Sequence, residues 1–372
     1  MWIELHLLQN FAPSCLNRDD TNSPKDCVFG GYRRARISSQ CIKRAIRTSD
    51  AFQRHLDSAI GVRTKRLVEL LTEGLAGRGE GETAHNVAVA FTGALAGKMS
   101  DDRTSVLLYL GEDEVARMVD LLDGRWDELS EVANDEKKLA TACTDLVSNF
   151  AAGTQAADIS LFGRMVAEKS NITLDIDAAC QVAHAISTNR VSMEMDFYTA
   201  VDDLNPKEET GAPMMGVIGY NSACFYRYAL VDYEQLLENL GRDGELAAKS
   251  VVAFVRASAL ALPTGKQNTF AAHSRPDLIV AVARQSGAPL SMANAFVAPV
   301  RPERDADLTR ASIDRLADYW SKVEKVYGNG SDGTAIFCCG LAMPSSTPES
   351  WECVESLDDL VDKVEQAVTG GR

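Results

Sequence analysis

The chain lacks most of the short motifs that announce catalytic chemistry. Its nine cysteines, at positions 15, 27, 41, 143, 180, 224, 338, 339 and 353, include no C-x-x-C pair. An odd, scattered set argues against both a disulfide framework and a zinc ribbon. Cys338 and Cys339 sit in the apolar run from Ala335 to Leu341 and read as small buried thiols. Neither a P-loop, nor H-E-x-x-H, nor G-x-S-x-G is present. The one G-x-G-x-x-G match, Gly328 to Gly333, follows an expected helix, the reverse of a dinucleotide-binding order. The five histidines (6, 55, 85, 184, 273) are far apart in sequence, which leaves a histidine-based site unsupported, and His184 reads as structural. No metal and no cofactor is expected.

Long apolar runs are missing as well. No stretch approaches the length needed to cross a bilayer, and no basic leader with an apolar segment opens the sequence, so a cytoplasmic protein without membrane partners is expected. With 45% hydrophobic and 24% charged residues over 372 positions, the composition is that of a folded chain large enough for one domain with an insertion, or for two. No internal repeat supports a solenoid.

The net charge of −15 argues against a nucleic-acid binder until its distribution is considered. From Arg18 to Arg47 there are eight basic residues and three acids, a local +5, so the rest of the chain holds −20. A cationic face on an acidic body favours one defined binding path over general adhesion to polyanions.

Residues 2 to 9 alternate, with Ile3, Leu5 and Leu7 on one side and Glu4 and His6 on the other, the pattern of a half-buried strand. A turn-rich segment runs from Pro13 to Lys25 and reaches Phe29-Gly30-Gly31, where paired glycines allow positive φ or close backbone approach. Ser38 and Ser39 precede a helix expected over Gln40 to Arg47, with a serine N-cap. Residues 51 to 183 read as mainly helical, with apolar periodicity in 62–76, 113–122 and 137–150. Residues 181 to 191 fit strand or helix equally, and 194 to 221 show no sustained period and read as a long excursion. A strand follows at 222–231, a helix at 244–262, a strand at 278–282, and helices at 308–327 and 357–368. This order gives an α+β fold with a ferredoxin-like or RRM-like sheet interrupted by a helical subdomain.

The richest cluster is Gly30-Gly31-Tyr32-Arg33-Arg34-Ala35-Arg36-Ile37-Ser38-Ser39-Gln40, followed by Lys43, Arg44 and Arg47. On a helix the last three share a face, where they can hold successive phosphates while serine hydroxyls, Gln40 and backbone amides add neutral hydrogen bonds. A solvated basic face is the bland alternative.

Ser14-Cys15-Leu16-Asn17-Arg18-Asp19-Asp20, Lys25-Asp26, Phe29-Gly30-Gly31 and Arg33 to Gln40 resemble the N-terminal signature of the CasC family, the guide-RNA-binding backbone of the type I-E CRISPR complex Cascade. Further similar blocks are Gly163-Arg164-Met165, Ala183-His184-Ala185-Ile186, Phe197 to Leu204, Phe225 to Ala229 and Pro289 to Phe296. The resemblance implies an RRM-like palm in two parts (1–50 and 222–372, with a palm strand at 184–193), helical fingers at 51–183 and a thumb at 194–221. It also implies copies stacked along the guide, six in the family's usual assembly. The implied partners are the CRISPR RNA, the target DNA strand paired to it, and the large, small, 5′-handle-binding and guide-processing endonuclease subunits. Carried over by position, Asn17, Arg18, Lys25, Arg33, Arg34, Arg36, Ser38, Ser39, Gln40, Lys43, Arg44 and Arg47 hold the RNA backbone. Met165 in the fingers and Phe197, Tyr198, Thr199 and Met215 in the thumb act as base wedge, with core packing as the competing reading of the aromatics. Tyr32 and Asn268 depart from the basic residues of some relatives. Gly265-Lys266-Gln267-Asn268, Arg301 and Arg304 are secondary candidates.

The resemblance implies no catalysis. The alternative is a metal-dependent, target-RNA-cleaving subunit like those of type III complexes, using Asp19 and Asp20 or the pair Asp202 and Asp203. The bland reading of Asp19 and Asp20 is that they cap turns.

Overall fold

The structure is a computed structural model describing residues 1–56, 59–78, 81–150, 153–165, 174–200, 214–302, 307–328 and 333–370. The chain divides into two compact units, Met1–Phe52 with Gln181–Leu230 and Val252–Arg372, and Gln53–Cys180 with Val231–Val251.

The first unit is built on a ten-stranded sheet. Its first strand, β1 (Trp2–Ser14), is longer than the alternation over 2–9 suggests. It pairs antiparallel with Leu278–Arg284 in a register from Trp2↔Arg284 to Leu8↔Leu278. Its main path runs Trp351–Cys353, Thr334–Gly340, Leu278–Arg284, β1, Met214–Asp232, Ala185–Ser187, β3 (Tyr32–Ile37) and β2 (Asp26–Phe29), and Cys180–Val182 and Glu194–Ala200 also pair with Met214–Asp232. The strand Ala185–Ser187 settles half of the ambiguous 181–191 stretch. The helices expected at 40–47, 308–327 and 357–368 are found as α1 (Ser39–Arg47), Leu308–Tyr327 and Leu357–Thr369. All nine cysteines are free thiols, and Cys338 and Cys339 are buried in Thr334–Gly340.

β1 corrects one expectation. Glu4 and His6 do not face water; both are buried, so the strand is covered on its two faces. Burying a carboxylate requires partners, and Glu4 has three: Arg284 Nε donates at 2.9 Å, the Tyr228 hydroxyl at 2.8 Å and the Leu290 amide at 2.7 Å. His6 Nδ1 lies 2.9 Å from the Tyr226 hydroxyl, which itself accepts from the Met292 amide at 2.9 Å, so the tyrosine donates and the imidazole accepts. The Trp320 ring packs edge-on 4.8 Å from the imidazole.

Burial, aided by the Arg284 charge, depresses the His6 pKa to about 3 from 6.5. A neutral imidazole therefore contributes stability that is fully present above pH 6.5 and is lost as the pH falls toward 3. Thermal melts from pH 7 to 5 are expected to show a falling Tm, and a His6→Asn variant, which keeps an acceptor without a proton site, a flatter profile. Equal slopes in the two proteins would exclude His6 as the acid-sensitive group.

The second unit is mostly helical, as its periodicity suggests, with Leu67–Gly74, Gly81–Ala96, Glu112–Asp123 and Glu136–Ser148 around a core that includes Leu71, Phe91, Met118 and Val147. It departs from that expectation at Val62–Thr64, which is a strand paired antiparallel with Leu108–Leu110. Among the described residues no helix is long and apolar enough to cross a membrane.

Candidate nucleic-acid interface

β2 and β3 form a hairpin in the register Asp26↔Ala35 to Phe29↔Tyr32, closed by Gly30 and Gly31. Both glycines have positive φ, +60° and +82°, as a two-residue type I′ turn demands. Gly30 is doubly constrained, because a Cβ there would lie 2.0 Å from the Val297 carbonyl oxygen. α1 begins where the sequence places it: the Ser38 hydroxyl accepts from the Cys41 amide. The amides of Ser39 and Gln40 then have no acceptor within the helix. The Asn17 side-chain oxygen accepts from the Ser38 amide at 2.8 Å, and its carbonyl accepts from the Lys25 amide at 2.8 Å. Asn17 thus fastens the 17–25 loop to the start of α1.

Several cations of the cluster share one surface. Arg18 and Arg44, with Asn17, line a cleft of about 320 Å³ whose far wall is Pro263-Thr264-Gly265. Gly265 permits that wall to approach, since a Cβ would sit 2.3 Å from the Leu16 carbonyl oxygen. Burial raises the Cys41 thiol pKa while Lys25 and Arg44 pull it down, which places both cations beside that thiol. Lys25 and Arg36 likewise flank His184, whose pKa is lowered first by burial and then by these two charges. Arg36 Nη1 is 3.1 Å from His184 Nδ1, and Arg36 Nε donates to the Asp26 carbonyl. Lys266, in a left-handed conformation, joins Arg18 beside Cys15. Lys266, Arg18, Arg44, Lys25 and Arg36 thus follow one another within electrostatic reach of Cys15, Cys41 and His184, around the cleft, as a cationic track. Gln40 and Arg44 are exposed, and Ser39, Lys43 and Arg47 half-buried on the same helix.

Not every residue of the cluster belongs to that track. Arg34 is fully buried. Its Nη1 donates to the carbonyls of Ser187 (2.8 Å) and Thr188 (2.9 Å), and its Nη2 to those of Phe296 (2.7 Å) and Val297 (3.1 Å). The expectation that Arg34 contacts RNA is thus corrected: it alternates to the inner face of β3 and ties the hairpin to two distant loops. Arg33, on the outer face, is ion-paired with Asp26. His184, which reads as structural in the sequence, is exposed inside the cationic track. The block Ala183 to Ile186 is visible in the sequence, but the signal needed is the pairing Arg36↔Ile186, which no local pattern shows.

Asp19 holds its own loop. Its carboxylate accepts from the Thr21 amide and hydroxyl and the Ser23 amide, and the Thr21 hydroxyl is the first cause of its lowered pKa. This is the turn-capping geometry of an Asx turn. Asp20 is exposed. Asp202 and Asp203, like Arg304, lie outside the described residues. Among the described residues no three His, Cys, Asp or Glu side chains converge as a metal site.

The 194–221 excursion is more regular than its sequence suggests, although its centre, 201–213, lies outside the described residues. Glu194–Ala200 pairs antiparallel with Met214–Tyr220 as a two-stranded ribbon. Directly opposed residues share a face, so Met195, Phe197, Thr199, Met215 and Val217 form one side. Its large apolar members are all more than 60% exposed, which removes core packing as an account of Phe197. Tyr198 is on the other side, its ring lying across Gly216, where a Cβ would be 2.3 Å from the ring.

In the helical unit, Met165 is 85% exposed. The residue before it is its anchor: Arg164 Nη1 and Nη2 meet both oxygens of the buried Glu114 at 2.7 and 2.9 Å, and Arg164 also donates to the Leu174 and Tyr109 carbonyls. Gly163, at φ +78°, lets the chain turn there.

Among curated protein sequences none matches this chain. Among the solved structures similar to this chain, two match over nearly its whole length. One, from a CRISPR RNA-guided surveillance complex in a pre-nicking state, is 29% identical with a TM-score of 0.82, covering 99% of this chain and 100% of that one. The other, from a CRISPR RNA-guided surveillance complex, is 25% identical with a TM-score of 0.72 and the same coverage. One family model, described as CT1975-like protein, spans residues 3–363 and so takes in the hairpin, α1, the ribbon and the Met165 turn together; the chain belongs to the CT1975-like protein family.

Proposed function

We propose that this protein is the non-catalytic, guide-RNA-binding backbone subunit of a type I-E CRISPR surveillance complex, several copies of which line one CRISPR RNA and present its bases to target DNA. The observation behind this reading is the cationic track from Lys266 and Arg18 to Arg36, set beside the N-terminus of α1. Such a surface grips phosphates and reads no base edges, which is what a guide that must still pair requires. The similarity to chains of two CRISPR RNA-guided surveillance complexes supports the assignment. The sheet order Leu278–Arg284, β1, Met214–Asp232, Ala185–Ser187 supports an RRM-like palm. The ribbon's exposed apolar side and Met165 suit a thumb and a finger wedge that unstack a base without identifying it. A cytoplasmic location and partnership with the other subunits of the complex follow from the same reading.

The test is purification from cells expressing the whole operon, with a high-salt wash. The expected outcome is an ultraviolet absorbance ratio dominated by nucleic acid and an assembly on size-exclusion chromatography that collapses after ribonuclease; a protein-like ratio would sink the proposal. For the non-catalytic part, guide-loaded protein is incubated with complementary RNA and Mg²⁺. Intact target is expected, consistent with an Asp19 carboxylate already occupied by its own loop. Cleavage at regular intervals that Asp20→Ala abolishes would establish the type III-like alternative instead.

A further inference from the structure

We infer that the helical unit contains a separate nucleobase-binding cleft, built on Arg63 and Tyr109, that accepts one unstacked base of a single-stranded RNA. The inference rests on the RNA-binding reading above and adds a site whose two central residues that reading does not use.

The cleft has a volume of about 360 Å³ and is lined by Arg63, Val106 to Leu110, Gly163 to Met165 and Leu174. A purine base occupies on the order of half that volume, so the remainder admits part of its ribose and water. Arg63 and Tyr109 are direct cross-strand partners, and the Arg63 guanidinium carbon sits 4.6 Å from the Tyr109 ring centroid. The ring beneath is fixed, because the Tyr109 hydroxyl donates to the buried Asp158, which also accepts from the Gly61 and Ile159 amides. Gly61 allows this approach: a Cβ there would lie 2.9 Å from the Tyr109 ring. The guanidinium sits over this fixed ring, and because Arg63 is otherwise exposed it offers a planar cation on which a base can stack.

The lining also carries apolar side chains that are set in place by a buried ion pair. Met165 and Leu107 are 85% and 57% exposed, yet Arg164, between Met165 and the buried Glu114, donates to the Tyr109 carbonyl at 2.8 Å. One buried ion pair therefore fixes both parts of the lining. Isolated exposed apolar side chains need no explanation; two of them lining one cleft with a ring-seated guanidinium do. Charge selects the occupant. Lys65, two residues along the chain from Arg63, and Arg103, whose neighbour Thr104 donates to the Lys65 carbonyl, are exposed on an otherwise acidic unit, a charge that suits RNA phosphates and favours RNA over an apolar side chain of another protein.

The test uses guide-loaded protein carrying RNA substituted with 4-thiouridine, crosslinked by ultraviolet light and mapped by mass spectrometry. Crosslinks are expected within 106–110, with yield reduced about tenfold by Arg63→Gln, the scale of one base-stacking interaction; crosslinks at Met165 alone would overturn this inference and leave the wedge reading standing. The exposed Leu107→Ser should lower it too. Arg63→Lys keeps the charge but not the plane and should behave as Arg63→Gln; full recovery would mean the cleft holds phosphate and would overturn the base assignment. Crosslinks confined to 14–47 would overturn this inference and leave the proposed function standing. Absence of bound RNA would defeat both.

Discussion

Arg44→Glu is expected to weaken binding of single-stranded RNA about 10- to 100-fold at low salt, the scale of one charge-assisted phosphate interaction replaced by repulsion. The salt dependence should change with it. Removing one phosphate interaction flattens the log–log slope by roughly 0.7 for a single strand, so anisotropy titrations between about 50 and 200 mM salt separate a weakened grip from an unfolded protein. Lys25→Glu, Lys43→Glu and Arg47→Glu should act similarly, and the effects should be the same for unrelated guide sequences. Arg33→Glu supplies the internal contrast. Its guanidinium is ion-paired with Asp26, so reversal removes less available charge, and the expected effect is smaller. Effects that varied with guide sequence would mean that base edges are read at this face, contrary to the grip proposed.

The local patterns that placed this face were those whose partners are also local. Paired glycines require positive φ for a two-residue turn, and a serine before a helical run requires a free amide three residues on; both are found. The alternation of β1 located the strand but not its burial. What covers Glu4 and His6 comes from Tyr226, Tyr228 and Arg284, more than 200 residues away, and period-2 reasoning knows nothing of them. The same holds for the ribbon. Neither Glu194–Ala200 nor Met214–Tyr220 has a clean polar face, since Tyr198, Ala200, Met214 and Ile218 stand on the side opposite the exposed apolar one, so alternation marks no inside and outside. Arg63 escaped notice because its significance lies in a cross-strand ring 46 residues on, at Tyr109.

Charge distribution is what joins these pieces into a function. Under the proposed reading, an acidic body carrying clustered cations would repel stray polyanion over its acidic surface and admit phosphates at the cations. His184 refines this. Its Nδ1 accepts from Arg36, and its pKa is depressed by burial and by neighbouring cations, so at neutral pH it adds a polar group without adding charge. A phosphate entering between His184, Arg36 and Lys25 would relieve that depression, and RNA binding would then take up protons as the pH falls below the ordinary histidine value.

Arg34→Met is expected to be the most destabilising single change in the basic cluster, with a cost of about 3–5 kcal/mol, and to do so without altering the charge that RNA meets. Four carbonyl oxygens, on Ser187, Thr188, Phe296 and Val297, converge on one guanidinium that water does not reach. Methionine matches the aliphatic stem but donates to none of them; the Thr188 carbonyl keeps the Val300 amide as a donor, and each buried acceptor left open costs roughly 1–3 kcal/mol before relaxation. The hairpin would lose its tie to both loops, and Gly30, packed against the Val297 carbonyl, would lose its seat with it. Denaturant melts of the RNA-free protein should show a clearly lower midpoint for Arg34→Met and an unchanged one for Arg44→Glu. The RNA affinity of whatever Arg34→Met remains folded should keep the wild-type salt slope. A flattened slope with an unshifted midpoint would place Arg34 on the RNA after all, and that pair of measurements separates the residue that builds the cationic face from those that use it.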